Sequence, residues 1–471
     1  MQTRKDLYQA HRLMMQRMGT ALLQAEPDVP EAPMRRQNVG MFAGILVAVL
    51  IMAGFGIWGL LSPGNATKLT EAGQLLVEEE SGAKYVYSQQ QKRLLPVANY
   101  VSARLLLDAN DVKVRNVTAK SLAGFSRGPL VGIAGAPDSL PAKDKLVKGP
   151  WSACVTEGTD AAGGRRPYVS LVGGTAVGGR PIGGDAMIVM DAKRQAWVIW
   201  ADRRMQVSAD GVRALGVGGV RTVPASWLNA IPVGGDFSGP RVPGLGKTVK
   251  RPDGPKGKVG QVFTAPAVAG SPARYFVLVE DGYAPISVTQ ATLLMNDRAS
   301  KAAYGKNRVT PLQIDAATAN AYPSKQTHLN NAMPATMPKV ISPPATAPLC
   351  AVYADTAKGS ARAKLTVGAT ITINTPRTAG VQERFDQVLL PPGTAAVVAQ
   401  LPGETQNAPV TPYYLLTDQG RKFALAAPDQ LAKFGYDETV VTPVPSRILH
   451  QVPDGPKLDP VAAKTPVEIV Q

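Results

Sequence analysis

Charge vanishes from the chain between Val39 and Leu61, a run of 23 residues reading VGMFAGILVAVLIMAGFGIWGLL. About 20 apolar residues in a helix cross the hydrocarbon core of a bilayer, so this run predicts one membrane span with slight tilt. Gly40, Gly44, Gly54, Gly56 and Gly59 would weaken a helix in water, yet small residues are common in membrane helices, where they let neighbours approach. Upstream, Leu7, Ala10, Met14, Met18, Ala21 and Ala25 recur at three- and four-residue intervals, with Arg12, Gln16, Arg17 and Gln24 on other faces. That is the period of one helix face. Thr3 stands three residues before Asp6 in a capping-box-like start, and Pro27, Pro30 and Pro33 end the helix and space it from the span. Leu7, Met14, Met18 and Leu22 are the candidate docking residues for a cytosolic partner; lying on the anionic inner leaflet is the competing reading.

Beyond the span the hydrophobic runs become short, aromatic and strand-like, and they repeat. Val223-Pro224 through Gly234 parallels Val444-Pro445 through Gly455, with two prolines eight apart and a leucine in the same place. Gly73-Gln74-Leu75-Leu76 parallels Gly260-Gln261-Val262-Phe263, and each precedes an aromatic strand, Lys84–Tyr87 and Arg274–Val279. Gln195–Trp200 and Pro412–Leu416 are two more such strands, and helix-like stretches follow at Ala98–Leu107, Thr289–Asn296 and Pro428–Phe434. Self-similarity of this kind predicts four small modules of strand, turn, strand and helix, alternating between two types, in a duplicated and pseudo-twofold chain. The expected boundaries are a leader 1–38, span 39–61, linker 62–72, modules 73–120, 185–240, 260–310 and 396–460, a linker 241–259 and a tail 461–471. Between the modules, 121–184 and 311–395 form a central β region, with the Gly-rich run 163–184 as loop.

Composition sharpens the picture in two ways. With 46 Gly and 40 Pro among 471 residues, many short strands joined by turns are favoured over long helices. The formal net charge of +16 attracts anionic surfaces without choosing among lipid headgroups, wall polymers and nucleic acid. Arg35 and Arg36 sit just before the apolar run, whereas Lys68 and then Glu78, Glu79 and Glu80 follow it. Positive residues stay inside, so the leader is expected in the cytosol and everything after residue 64 outside. A cleaved signal peptide is disfavoured, because 38 residues precede the run and no small-residue cleavage pattern follows it. Both cysteines, Cys154 and Cys350, then lie in an oxidising compartment, where one bridge is the natural reading and two unrelated buried thiols the bland one. Closing so long a loop removes roughly 4–5 kcal/mol of unfolded-chain entropy in the loop-closure picture.

Catalytic motifs are present only as fragments. Gly124-Phe125-Ser126-Arg127-Gly128 matches G-x-S-x-G, but Pro129, Gly132, Gly135 and Pro137 break the helix that a nucleophile elbow requires. Gly244-Leu245-Gly246-Lys247-Thr248 resembles the end of a phosphate-binding loop, yet Arg241 occupies the position of its first glycine and Pro252 and Pro255 oppose the following helix. Three scattered histidines and two cysteines give no metal-ligand spacing. No catalytic, cofactor-binding or metal residue is therefore assigned. Against the scaffold reading stand two alternatives, a membrane-anchored wall-binding module and an envelope ATPase or hydrolase built on Lys247 or Ser126.

Several motifs together resemble the EccB family of the type VII (ESX) secretion membrane complex. They are Thr3-Arg4-Lys5-Asp6 with Ala10-His11-Arg12, then Pro33-Met34-Arg35-Arg36, then Leu94-Leu95-Pro96-Val97-Ala98-Asn99 with Ser102-Ala103-Arg104-Leu105. Arg127-Gly128-Pro129 through Gly132-Ile133-Ala134-Gly135-Ala136-Pro137-Asp138 is similar to the family's R-G-P…G-I-P-G-A-P-D loop, with Ala134 in place of a proline, and Trp151-Ser152-Ala153-Cys154 fits the position before its first cysteine. The resemblance implies a single-span protein of the plasma membrane with an elongated α+β extracytoplasmic domain, in which four repeats surround a disulfide-linked β centre. It implies a scaffold role beside EccC, EccD and EccE, self-association of the outer domain and contact with peptidoglycan, with no nucleic-acid partner and no cofactor.

Overall fold

The computed structural model describes residues 3–24, 34–61, 67–107, 112–159, 163–216, 220–251, 253–267, 270, 272–372, 383–403 and 410–467. Ala25, Pro27, Pro30 and Pro33 lie outside these residues. Helix α1 (Arg4–Gln24) starts where Thr3 and Asp6 meet, the Asp6 carboxylate accepting the Thr3 backbone N–H at 3.1 Å. Helix α2 (Met34–Leu61) has 28 residues, about 42 Å at 1.5 Å per residue, enough to cross a bilayer. It begins ahead of the apolar run, so Arg35 and Arg36 belong to its first turn.

After α2 the chain builds four sheets with one topology. The first unit holds β1 (Gln74–Glu78), β2 (Lys84–Ser88), β3 (Arg93–Val97), α3 (Tyr100–Leu107), β4 (Lys113–Val117) and α4 (Ala119–Leu122). Strands β5 (Trp151–Thr159), β6 (Arg165–Gly173) and β7 (Arg180–Pro181) follow. The second unit is β8 (Ala186–Met190), β9 (Ala196–Trp200), β10 (Arg203–Val207), α5 (Ala209–Ala214), β11 (Arg221–Thr222) and α6 (Ala225–Ala230). A ribbon of β12 (Thr248–Lys250) and β13 (Lys256–Lys258) precedes the third unit, β14 (Val262–Ala265), β15 (Arg274–Val279), β16 (Gly282–Ile286), α7 (Val288–Asn296), α8 (Lys301–Tyr304), β17 (Leu312–Gln313) and α9 (Ala316–Ala321). Strands β18 (Val340–Ile341), β19 (Leu349–Tyr353), β20 (Lys364–Val367) and β21 (Gln387–Leu389) lead to the fourth unit, β22 (Ala395–Leu401), β23 (Val410–Thr417), β24 (Lys422–Ala424), α10 (Gln430–Lys433), β25 (Thr442–Pro445) and α11 (Ser446–Leu449), with α12 (Pro460–Ala463) after it.

In every unit three antiparallel strands run as a meander, a helix follows, and a fourth strand returns parallel to the first, giving the orders β3-β2-β1-β4, β10-β9-β8-β11, β16-β15-β14-β17 and β24-β23-β22-β25. The repeat read from sequence as strand, turn, strand and helix thus lacked two strands, one of the three in the meander and the parallel fourth, which in the second and third units is only two residues long. A further return covers the other edge. Parallel bridges join the third strand to a later segment at Leu94–Arg127 and Val97–Val131, at Arg204–Val233, at Tyr283–Pro323, and at Lys422–Asp454 and Leu425–Leu458. Exposed edges invite aggregation, and each unit shields the third-strand edge by the same device. Helix starts are alike in the first three units: Asn99 accepts from the Ser102 N–H at 2.9 Å, Ser208 from Gly211 at 3.1 Å and Ser287 from Gln290 at 3.1 Å, each just past the third strand, whereas Asp429 before α10 makes no side-chain cap.

The centre is a six-stranded sheet, β21-β6-β5-β19-β20-β7. Arg165–Gly173 is one of its longest strands, so the expectation of loop over 163–184 fails there: residues 168–173 are buried without a break, on both faces of the sheet, despite the glycines around them. The stretches 241–259 and 311–341 are also more than linker and centre. The first contains the β12–β13 ribbon; the second completes the third unit through β17 and joins the second through β18.

Strands β5 and β19 pair antiparallel with Cys154 opposite Cys350, bridged at a Cα separation of 4.1 Å. The period of two along a strand places Trp151, Ala153 and Val155 on one face with Leu349, Ala351 and Tyr353, and both cysteines on the other. The first face forms the largest core, packed against Trp227 and Leu228 of α6 and Ile448 and Leu449 of α11. These are the duplicated Pro-led segments, and α6 contacts α11 directly. The cysteines pack with Val172, Val177 and Ala369. Replacing Cys154 and Cys350 by alanine is expected to lower stability by about 2–5 kcal/mol in urea unfolding followed by circular dichroism, with membrane insertion intact; an unchanged midpoint would refute this role.

Candidate assembly surfaces

Two of the stretches that resemble family motifs, 94–105 and 127–138, converge on one junction. Gly128 N–H donates to the Leu94 carbonyl at 2.8 Å and Val131 N–H to the Pro96 carbonyl at 2.9 Å, laying residues 126–131 along β3. A Cβ on Gly128 would lie 2.5 Å from Leu95 Cδ2, and one on Gly132, at φ +137°, 3.0 Å from Ala98 Cβ. Asn99 Nδ2 donates to the Ile133 carbonyl at 2.7 Å, and Ser102 Oγ accepts from the Ile133 N–H at 2.9 Å. The buried Arg104 then reaches out of the first unit, its Nε donating to the Lys433 carbonyl at the end of α10 at 2.6 Å. One cation thereby serves the carbonyl end of a helix in the fourth unit.

This geometry also disposes of the G-x-S-x-G pattern. Ser126 is exposed, follows α4 and a turn, and its carbonyl accepts from the Leu94 N–H at 2.9 Å as part of the strand return. The glycine at 128 is there for close approach to β3. Lys247 is equally committed, paired with Glu280 at 2.8 Å, and the chain after it enters β12 where a phosphate-binding loop would open a helix. Among the described residues no group of three His, Cys, Asp or Glu could hold a metal ion. A cleft of about 550 Å³ in the third unit is lined by Tyr275, Phe276, Tyr283 and Ile286. Its titratable lining is Arg274, Tyr275 and Tyr283, without carboxylate or imidazole, a poor set for general acid–base work.

Paired charges fix segments both between and within units. Asp210 in the first turn of α5 accepts from the Arg298 backbone N–H at 3.0 Å, joining the second unit to the third where α5 packs on α7. Lys422 is almost fully buried; its ammonium meets Asp454 at 2.7 Å and the Val452 carbonyl at 2.6 Å, and burial pushes its pKa down. Lys143 pairs with Asp437 at 2.7 Å, and hydrogen bonds from Lys143 and Thr439 hold the Asp437 pKa at about 2.

The candidate docking residues lie on α1. Leu7, Met14, Met18 and Leu22 are 64%, 65%, 54% and 87% exposed, and Tyr8 and Met15 widen the stripe. Spacing alone missed those two because they lie one position off the chosen face. The apolar window Gln37–Trp58 of α2 is wholly exposed among protein atoms, as a lipid-facing helix would be. The contact of Arg104 with Lys433 and the returns along β3 join segments far apart in the chain, and the β12–β13 ribbon is too short and polar to stand out as a strand pair in the sequence.

The Asp437 pKa is depressed below the ordinary 3.8, so its contribution is present above that value and lost as pH falls through about 2. Asp437→Asn is expected to flatten the acid limb of the stability profile between about pH 4 and 2, read by thermal unfolding, and an unchanged limb would refute the pairing.

The family model described as "Type VII secretion system ESX-1, transport TM domain B" matches residues 1–470. The chain is 28% identical over 302 residues to the ESX-5 secretion system ATPase EccB5 of Mycobacterium tuberculosis, a match covering 61% of this chain and 57% of the relative's length. It is 27% identical to the ESX-3 secretion system ATPase EccB3 of Mycolicibacterium smegmatis over 95% of this chain and 87% of that one. A chain in the structure of an intact ESX-5 inner membrane complex superposes with TM-score 0.65 at 24% identity, covering 100% of this chain and 96% of that one. A chain in the structure of an EccB3 dimer from the ESX-3 core complex superposes with TM-score 0.62 at 23% identity, covering 83% and 99%. With its anchor-length helix, its four like units and a family match across nearly its whole length, the chain belongs to the EccB family of type VII secretion systems.

Proposed function

We propose that this chain is a structural subunit of a type VII secretion membrane complex, anchored in the plasma membrane by α2 and assembling the periplasmic face of the exporter. The single observation that carries this reading is the family match from residue 1 to 470, which takes in leader, span and outer units together. The leader faces the cytosol and the outer units the periplasm, supported by Arg35 and Arg36 before the apolar window and Glu78, Glu79 and Glu80 after it. EccC, EccD and EccE are the proposed partners, and the stripe of Leu7, Met14, Met18 and Leu22 is the proposed docking face. Self-association of the outer units follows from the likeness to a relative solved as a dimer. Peptidoglycan is a further proposed contact for the repeated units.

The relatives carry the name ATPase. A non-catalytic role suits this chain better, because the one lysine in a phosphate-loop-like setting is tied to Glu280 and is followed by a strand. Lys247→Ala is expected to leave protein export within about twofold of wild type in a secretion assay, whereas loss of a nucleotide-binding lysine removes most of an ATPase's rate. A collapse of export with a folded variant would restore the catalytic reading.

Purification of the chain from its native membrane in mild detergent is expected to recover EccC, EccD and EccE, identified by mass spectrometry. Met14→Asp with Met18→Asp should reduce that recovery at least tenfold while the chain stays inserted, since two charges on an apolar contact cost several kcal/mol. A chain that purifies alone would sink the scaffold reading.

A further inference from the structure

Charge is unevenly spread along this protein. Between residues 241 and 325, twelve Lys and Arg stand against five Asp and Glu. Arg298 is paired with Asp210 at 3.5 Å, and two cations beside the ribbon are also compensated: Lys247 by Glu280 at 2.8 Å, and Arg251 by a bidentate contact with Asp253, including Nε to Oδ1 at 2.9 Å. The β12–β13 ribbon between them behaves differently. Its register sets Lys250 opposite Lys256 and Thr248 opposite Lys258. Residues directly opposite share a face, as do residues two apart on one strand, so Lys250, Lys256 and Lys258 stand on a single face with Thr248.

The other face is the inner one. Val249 packs on the cluster of Phe263, Phe276 and Leu278, and a Cβ on Gly257 would lie 2.8 Å from Leu278 Cδ2. The lysine face therefore points away from the third unit. Lys250 and Lys256 are exposed and Lys258 is half-buried. Among the described residues none of the three has a carboxylate within 4.0 Å. Like charges directly opposite destabilise a strand pair, and this ribbon is only three residues wide on each side. It is held nonetheless by a buried lock at its base: Arg251 Nε donates to Tyr283 Oη at 3.1 Å, and Tyr283 Oη donates to Asp253 Oδ1 at 2.8 Å. Three ammonium groups are thus presented together on a braced platform.

We propose that the outer face of the β12–β13 ribbon binds a phosphodiester-linked anionic polymer of the cell envelope. Neighbouring lysines are about 5 Å apart across the strands and about 7 Å apart along one, a spacing suited to successive anions on a chain. Lysine acts as a point charge toward phosphate and needs no bidentate geometry. The face offers no aromatic platform for a neutral sugar and no apolar residue for insertion into a bilayer. The membrane is also the less accessible anion. The third unit packs on the second through α7 and α5, the second on the fourth through α6 and α11, and the fourth on the first through α10 and α3; the first is the unit that follows the span.

The test uses the full chain in phosphatidylcholine nanodiscs and fluorescently labelled poly(glycerol phosphate), with anisotropy read at several salt concentrations. Wild type should bind, and K250Q/K256Q/K258Q should bind at least tenfold more weakly, with a salt dependence shallower by about 2 in log–log slope and an unchanged melting temperature. K256Q alone should show an intermediate loss, and K145Q/K148Q should bind as wild type. The proposal is overturned if wild type does not bind at physiological salt or if the triple variant binds as tightly. Equal affinity for polyglutamate of matched charge would assign the face to carboxylate chains, and preference for phosphatidylglycerol vesicles would assign it to the membrane; either outcome also overturns it.

Discussion

One antiparallel pairing organises the part of this protein that follows α2, that of β5 with β19. The two strands come from opposite halves of the chain, and their cysteines are 196 residues apart. Once they are in register, alternation does the rest. One face carries Trp151, Val155 and Tyr353 into the main core, and the other carries the bridge. Tyr353 also donates its hydroxyl to the Ala230 carbonyl at the end of α6, so the sheet is fastened to the helix that leans on it. A slip of one residue would turn the aromatic of the strand that moved outward and separate the cysteines, which is why register here is so strongly specified.

Around that centre the four units solve one problem in one way. A three-stranded meander with a parallel fourth strand leaves two edges, and each unit shields the third-strand edge with its own downstream segment. The glycines that permit the returns are chosen by space: Gly128 lies against Leu95, and Gly455 lies where a Cβ would be 2.2 Å from Phe423. With those edges shielded, units meet chiefly through helices and side chains, the short strand β18 beside β8 being a case of strand addition. Arg104 joins the first to the fourth, and Asp210 with Arg298 joins the second to the third. Such contacts make a rigid body from small pieces, each too small to be stable on its own.

Rigidity of this kind suits a scaffold. Its polar groups are spent on fixing segments within the units: buried Lys422 is neutralised by Asp454, Tyr283 is pushed up to about 12 by burial and its bond to Asp253, and Lys247 is tied to Glu280. A catalytic centre needs the reverse, titratable groups converging on an open cavity with pKa values near the working pH. The cations left without a carboxylate on the ribbon instead mark a surface, one whose chemistry is recognition of negative charge.

The sequence by itself determined what depends on composition along a short stretch. Twenty-three uncharged residues are enough for a membrane-length helix, three- and four-residue spacing for the stripe on α1, and a duplicated Pro-led segment for the existence of repeats. It also located both cysteines and, through the compartment, their pairing. Tertiary structure decided everything carried by contacts between distant segments. The fourth strands of the units are as short as Arg221–Thr222 and Leu312–Gln313, and they are strands only because a first strand lies beside them to accept their hydrogen bonds. Arg165–Gly173 is flanked by glycines that look like loop, yet β5 on one side and β21 on the other make it a central strand. Which arginine reaches a neighbouring unit, and which lysines lack a carboxylate, follow from register and packing that no local pattern encodes.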